Sequence, residues 1–153
     1  MPKLKPMQII FIFLTLILLV AAIFLLGGKT KKSFVEFPGH NLIIDVELAQ
    51  TIAQQARGLM FREALAENAG MLFVFSSESP KTFWMKNTKI PLDIIFINKD
   101  KKISSLSQSA KPCQVDPCQL YFARAQYVLE INGGLAEKYG IKTGDIIQLE
   151  LVN

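Results

Sequence analysis

The chain has 153 residues, of which 50% are hydrophobic, and a formal net charge of +4. This length allows one domain and an appendage. Nucleic-acid binding needs a clustered basic face. Five of the 17 basic residues flank the N-terminal apolar segment. The rest of the chain then has 12 basic and 13 acidic residues, a net charge of −1. The sequence therefore predicts no nucleic-acid partner.

Residues 9–26 are apolar except for Thr15. As a helix they would span roughly 27 Å, enough to cross a hydrocarbon core. We therefore predict an N-terminal transmembrane helix, with residues 1–28 as anchor or signal segment and the membrane as partner through residues 9–26. A cleaved signal and a buried helix are the alternatives, but the apolar run continues beyond a passable cleavage site at Val20-Ala21-Ala22, which favours an uncleaved anchor.

The two cysteines, Cys113 and Cys118, lie five residues apart in the loop-like stretch KPCQVDPCQ. Such a pair forms a disulfide readily in an oxidising compartment; free thiols and a metal or redox pair are the alternatives. A zinc site requires more ligands than the two cysteines and the distant His40 can provide. We therefore expect no metal and no cofactor. Because two lysines precede the apolar segment and three follow it, the charge rule does not orient the chain. The disulfide favours a single-pass protein of the inner (cytoplasmic) membrane with its domain on the periplasmic or extracellular side.

We interpret residues 29–40 as a juxtamembrane linker and residues 41–153 as a single mainly β domain. Thr51 and Gln54 form a capping box, which predicts a short helix to about Arg57 with Gly58 as its C-terminal cap. A second short helix is expected over 134–139, capped by Asn132. Alternating or continuous apolar runs predict strands at 42–48, 70–75, 83–86, 93–97, 103–106, 127–131 and 147–151, with loops at 76–80 and 107–120. This pattern predicts a compact antiparallel sandwich or barrel with two short helices.

The candidate site is built around Trp84, the single tryptophan. Lys86, Asn87 and Thr88 follow it, and a cation, a carboxamide and a hydroxyl beside an aromatic ring are typical of a site for a polar or anionic small molecule. The alternative is that Trp84 packs in the core and that the polar groups satisfy turn backbone.

Arg57 and Arg62 bracket an apolar stretch, and an arginine in such surroundings requires a carboxylate or a carbonyl. Asp93, at the start of a buried strand, is one candidate partner; two solvated arginines are the alternative. Any two of Asp93, Glu130 and Asp145 could also meet as catalytic carboxylates, although surface positions are commoner. The sequence has no GxSxG, HExxH, GxxxxGK[ST] or GxGxxG motif, which excludes the sites those motifs build.

Several motifs recur in a recognisable order. They are ARGLMFRE (56–63), GMLFVF (70–75), FWMKNTKIPLDIIFI (83–97), PCQVDPCQLY (112–121), YVLEINGG (127–134) and GIKTGDII (140–147). Together they resemble the bacterial and archaeal family called domain of unknown function 192. The resemblance implies a compact, mainly β domain, often preceded by a signal or anchor, and it implies no reaction. The positions that match its most characteristic motifs are Arg57, Gly58, Met60, Arg62, Trp84, Met85, Lys86, Asn87, Thr88, Pro91 and Asp93.

We therefore expect a membrane-anchored extracytoplasmic module that binds a small polar ligand or an envelope component. The predicted ligand-binding residues are Arg57, Arg62, Trp84, Lys86, Asn87, Thr88 and Asp93. Two alternatives remain open. One is a hydrolase that uses Asp93 with Lys86 or Arg57. The other is an assembly partner without a pocket, which would expose an apolar patch including Met60, Phe61 and Met85.

Overall fold

The computed structural model describes residues 7–8, 12–19 and 31–152. The chain divides into two units, Met1–Lys31 and Lys32–Asn153. In the first unit, residues 7–8 and 12–19 are helical. The rest of the predicted span 9–26 lies outside the described residues. Within the described ranges, no helix combines the length and the apolar character needed to cross a membrane.

The second unit is built on one seven-stranded sheet with the order β5-β4-β6-β3-β2-β1-β7. The strands are β1 Phe34–Phe37, β2 Leu42–Ala49, β3 Ala69–Trp84, β4 Leu92–Ile97, β5 Ile103–Ala110, β6 Leu120–Asn132 and β7 Gln148–Glu150. The helices are α1 Ile52–Arg57 and α2 Leu135–Tyr139, and a 3₁₀ turn covers Pro38–His40. All neighbouring strands are antiparallel except β2 and β3, which are parallel. The prediction of a mainly β domain with short helices is confirmed.

The two ends of the sheet meet near the start of β5. Lys102 forms an isolated antiparallel bridge with Ile146, and the Ile103 N–H donates to the Asp145 carbonyl at 2.9 Å. The sheet thus curls towards closure, which satisfies backbone groups that an open edge would leave unpaired.

Apolar side chains cover both faces of the central strands. On β3, Leu72 belongs to one buried cluster and Phe73 to the other. On β6, Leu129 and Val128 divide in the same way. Successive strand residues point to opposite faces, so a strand buried on both faces becomes continuously apolar. This explains the run 94–97, which lies in the paired strand β4 as predicted.

The predicted linker at 29–40 is wrong over β1. Residues Phe34–Phe37 pair with β2, and the first three of them also pair with β7. The side chains of Val35 and Phe37 are fully buried in the first cluster. Their alternation with Glu36 is the signal that the linker interpretation missed.

The predicted loop at 76–80 is also wrong, because β3 continues through it to Trp84. Its pairing with β6 shifts register between Val74 and Ser79. Such an irregularity lets a strand carry turn-type residues and a proline without ending. Likewise β5 and β6 extend into the predicted loop 107–120.

The first helix was predicted correctly, including both hydrogen bonds of the Thr51–Gln54 capping box and the cap at Gly58. The predicted cap of the second helix is wrong. Asn132 donates instead to the carbonyls of Leu65 and Ala66, at 3.2 and 2.9 Å.

Asp93 satisfies the start of α2 instead. Its Oδ2 accepts the Ala136 N–H at 2.7 Å, and its Oδ1 accepts the N–H groups of Gly134 at 2.9 Å and Ser109 at 2.7 Å. The Asp93 residue is 0% exposed. Its carboxylate therefore ties together β4, β5 and the N-terminal end of α2, where free N–H groups need acceptors.

We predict that Asp93→Ala lowers the free energy of unfolding by roughly 3 kcal/mol or more, because it leaves three N–H groups without their acceptor. Denaturant unfolding of the full chain measures the change. Asp100→Ala, at an exposed turn, is the control and should change stability by less than about 0.5 kcal/mol. Equal effects of the two substitutions would contradict the capping role.

Candidate functional site

A cavity of about 30 Å³ lies where the end of α1 faces the sheet and the last residues of β3. We call it the Glu130 cavity. The polar or hydrogen-bonding residues that line it include Gln55, Arg57, Trp84, Lys86, Thr88 and Glu130. Leu59, Met60, Phe73 and Phe83 supply apolar walls.

A larger opening of about 350 Å³, which we call the cleft, adjoins this cavity. The two share Arg57, Gly58 and Met60 as lining residues. The cleft is otherwise lined by Glu47, Leu48, Gln54, Phe61, Arg62 and Met71. Its volume lies within the range of small-molecule sites, about 300–1,000 Å³.

Glu130 is the unusual group of this site. It is 5% exposed, and its Oε2 is buried without a hydrogen-bond partner in the described part of the chain. Burial raises the pKa of the carboxyl to about 8, because a low-dielectric setting disfavours the charged form. At neutral pH the group therefore keeps its proton and offers both a donor and an acceptor.

Gly58 leaves space beside this carboxyl. A Cβ at this position would lie 3.2 Å from Cζ of Phe73 and 3.7 Å from Oε2 of Glu130. The residue also has φ +48°, a conformation that side chains with a Cβ rarely adopt. Glycine here both ends α1 and leaves room above the carboxyl.

The cations of the site differ in their partners. Lys86 Nζ contacts Asp116 Oδ2 at 2.5 Å and lies 5.2 Å from the centre of the Trp84 ring. Arg62 is paired with Glu47. The exposed guanidinium of Arg57 has no hydrogen bond or ion pair with any residue that the structure describes. Arg57 is therefore the available cation at the junction of cavity and cleft.

The structure brings most of the predicted residues together. Four of them, Arg57, Trp84, Lys86 and Thr88, line the Glu130 cavity, and Arg62 lines the cleft with Arg57. Asn87 has φ +56° and holds the loop through its backbone, accepting the Phe61 N–H at 2.8 Å; it lines neither opening.

Asp93 is the clear departure from the predicted site. Its carboxylate is fully buried at α2, accepts three backbone N–H groups and contacts neither arginine. A hydrolase based on Asp93 would need that carboxylate in a cleft, and the geometry gives it no route there.

The predicted disulfide between Cys113 and Cys118 is present. Its loop supports the site from one side. The Asn87 N–H donates to the Cys113 carbonyl at 2.9 Å, and the Cys113 N–H donates to the Met85 carbonyl at 3.1 Å. The same loop carries Asp116, the partner of Lys86. The disulfide thus fixes the segment that positions Lys86.

The sequence analysis names Glu130 only as one of three carboxylates that could meet in the fold. A sharper signal was available, because Glu130 is the single charged residue in the apolar strand run YVLEI (127–131). A carboxylate in a strand buried on both faces must find a partner or become neutral. Neither Asp93 nor Asp145 lines its cavity.

His40 and Asp145 form a separate pair. The ring Nε2 of His40 lies 2.7 Å from Asp145 Oδ2, and its Nδ1 lies 2.8 Å from the Tyr139 carbonyl. His40 therefore connects the 3₁₀ turn to the end of α2 and does not line the Glu130 cavity. Among residues 7–8, 12–19 and 31–152, no cluster of metal-ligating side chains occurs.

The described part of the chain is thus a small, mainly β domain with a curled sheet and a lined cavity. The family model "Uncharacterized ACR", domain of unknown function 192, matches residues 35–149. The chain belongs to this family, as the motifs indicated.

Two crystal structures are similar to this chain. One is a protein of unknown function from Novosphingobium aromaticivorans, with 40% identity, a TM-score of 0.69, and coverage of 76% of this chain and 83% of that chain. The other, from Sinorhizobium meliloti 1021, is described as a candidate transcription regulator, with 31% identity, a TM-score of 0.69, and coverage of 80% and 98%. No curated protein matches the chain.

The raised pKa of Glu130 predicts a specific pH dependence of stability. The carboxyl of Glu130 has an ordinary pKa of 4.5 and a pKa of about 8 in the folded protein. Between these two pH values the folded state holds a proton on Glu130 that the unfolded state has lost. Stability therefore falls as pH rises through this window, by on the order of 5 kcal/mol in total. Glu130→Gln should remove this dependence, so that the variant gains stability over the wild type between pH 5 and pH 8.

Denaturant unfolding at several pH values measures this difference. The exposed substitution Glu137→Gln is the matched control and should leave the wild-type pH dependence intact. If Glu130→Gln and the wild type follow parallel curves, Glu130 is not a buried neutral carboxyl.

Proposed function

We propose that this protein is a membrane-anchored, extracytoplasmic module that binds a small polar ligand or envelope component in the Glu130 cavity and the adjoining cleft. One observation carries the proposal. Two residues without partners in the described part of the chain line the same cavity: Glu130, whose Oε2 is buried and unsatisfied, and Arg57, whose guanidinium is unpaired. Leaving a buried polar group unpaired costs about 1–3 kcal/mol, so a ligand that pairs with it gains affinity.

Two features support the anchor and the compartment. Residues 9–26 have the length and apolar character of a spanning helix. In the described helical stretch 12–19, the large apolar side chains are exposed, as lipid-facing side chains would be. The Cys113–Cys118 disulfide favours an oxidising compartment.

Assembly with another protein is a second candidate function, and one surface favours it. Trp84 pairs across the strands with Leu120, and Thr82 pairs with Phe122. These pairs place three exposed apolar side chains on one face of the β3–β6 ribbon, with Phe122 77% exposed. The predicted patch differs in part, because Met85 is only 1% exposed. Contiguous exposed apolar surface marks contact sites.

A thermal-shift screen of small polar metabolites on the full chain tests the binding proposal. We expect at least one stabiliser whose shift is lost in Arg57→Gln, because that substitution removes the available cation of the site. Arg124→Gln removes a like charge from the exposed ribbon and should keep the shift. A stabiliser that acts equally on both variants would place the site elsewhere, and a broad screen without stabilisers would count against a binding module.

Reporter fusions test the orientation. A periplasm-only phosphatase fused after Asn153 should be active, and a reporter that fluoresces only in the cytoplasm should be dark at the same position. The reverse pair of results would overturn the proposed location of the domain.

A further inference from the structure

The chemistry of the Glu130 cavity narrows the class of ligand that the proposed function requires. Oε2 of Glu130 is the one buried side-chain polar atom in the described part of the chain without a hydrogen-bond partner. Glu130 lines the cavity, and its Oε2 lies 3.7 Å from the position that a Cβ of Gly58 would occupy. A protonated carboxyl at this place presents an O–H that needs an acceptor.

The charges that face the cavity favour an acceptor with negative charge. Arg57, at the end of α1, and Lys86, after β3, are the cationic side chains in the lining. Lys86 is already neutralised by Asp116. The strand neighbours of Glu130, Met71 and Ile94, are apolar. With Glu130 neutral, the unpaired Arg57 leaves a net charge of about +1 for a ligand to balance.

The sizes of the two openings indicate a ligand with a small polar head group and a larger apolar body. The cavity, at about 30 Å³, holds one small polar group, since a single water needs at least about 10–15 Å³ by the same kind of measure. The cleft, at about 350 Å³, has apolar walls at Leu48, Met60, Phe61 and Met71. A short apolar body fits there, with its polar head in the cavity.

We infer that the cavity binds the carboxylate of a small organic acid, between the guanidinium of Arg57 and the protonated carboxyl of Glu130. Guanidinium and carboxylate match in a planar, two-bond geometry. The carboxyl of Glu130 donates one further hydrogen bond to the same head group. The apolar body of the acid lies in the cleft. This inference rests on the proposed function and states which ligand class the site selects.

Calorimetric titration of the full-length protein in detergent, with butyrate, isovalerate and benzoate as probes, tests the inference. The matching neutral amides and the matching phosphonates are titrated in parallel. We expect at least one acid to bind about tenfold or more tightly than its amide, because the amide cannot balance Arg57. A preference for the phosphonate would overturn the choice of carboxylate.

The pH dependence of the affinity for the acid tests the role of Glu130. Affinity for the acid should fall roughly tenfold between pH 7 and pH 9, as the protonated fraction of Glu130 falls. Glu130→Gln keeps an N–H donor at every pH, so its affinity should stay level over this range. Glu130→Leu should lose affinity at every pH, and Arg124→Gln should behave like the wild type.

The outcomes separate this inference from the proposed function. Equal binding of acids and amides, or a flat pH profile in the wild type, would overturn the carboxylate assignment. If no acid binds but another compound stabilises the wild type and not Arg57→Gln, the site stands and the ligand class is wrong. If stabilisers act equally on Arg57→Gln, both proposals fail.

Discussion

The position of Glu130 in the middle of the sheet constrains the rest of the site. Its residue is paired with Met71 on one side and with Ile94 on the other, so the backbone cannot carry the side chain to the surface. Strand alternation then aims the carboxyl at the same face as Val128 and Phe73. A carboxyl held there must be neutral or paired. The end of α1 covers it with a glycine, which leaves a small cavity instead of a closed core.

Two buried carboxyl groups in this domain, those of Asp93 and Glu130, differ in their hydrogen-bond partners and therefore in their roles. Asp93 receives three backbone N–H groups and holds β4, β5 and α2 together. Glu130 receives none at Oε2. The first group is satisfied by the fold itself and has no capacity for a ligand. The second is left with a proton and an unused acceptor, and it shares its cavity with Arg57, whose guanidinium has no partner among the described residues.

Much of the fold could be predicted from local patterns. The capping box at Thr51 and the apolar run at 94–97 each specify their element with few neighbours. The missed elements depend on distant partners. β1 is a strand because β2 and β7 flank it, and β3 passes through 76–80 because β6 pairs with it beyond the register shift. Local turn propensity gave the opposite prediction there.

The candidate site also combines residues that local sequence predicts with residues whose role depends on distant partners. Trp84, Lys86 and Thr88 were predicted from their proximity in sequence, and the structure places them on one cavity. Asp93 looked equally suitable, but the backbone N–H groups that occupy it come from residues 16 to 43 positions away. The apolar run YVLEI (127–131) singles out Glu130 in the sequence, but only the pairing of β6 with β3 and β4 shows that its side chain is held inside the sheet. Tertiary pairing, which no local window contains, decided both cases.

The proposed ligand site requires Glu130 to be a neutral carboxyl. Carbon-13 NMR of the glutamate side-chain carboxyl carbons, followed across pH 3 to 10 in the full chain, tests it directly. We expect one glutamate signal that titrates near pH 8 and is absent from Glu130→Gln. If every glutamate signal, including the one removed by that substitution, titrates near the ordinary value of 4.5, Glu130 is charged at neutral pH and the proposed site is wrong.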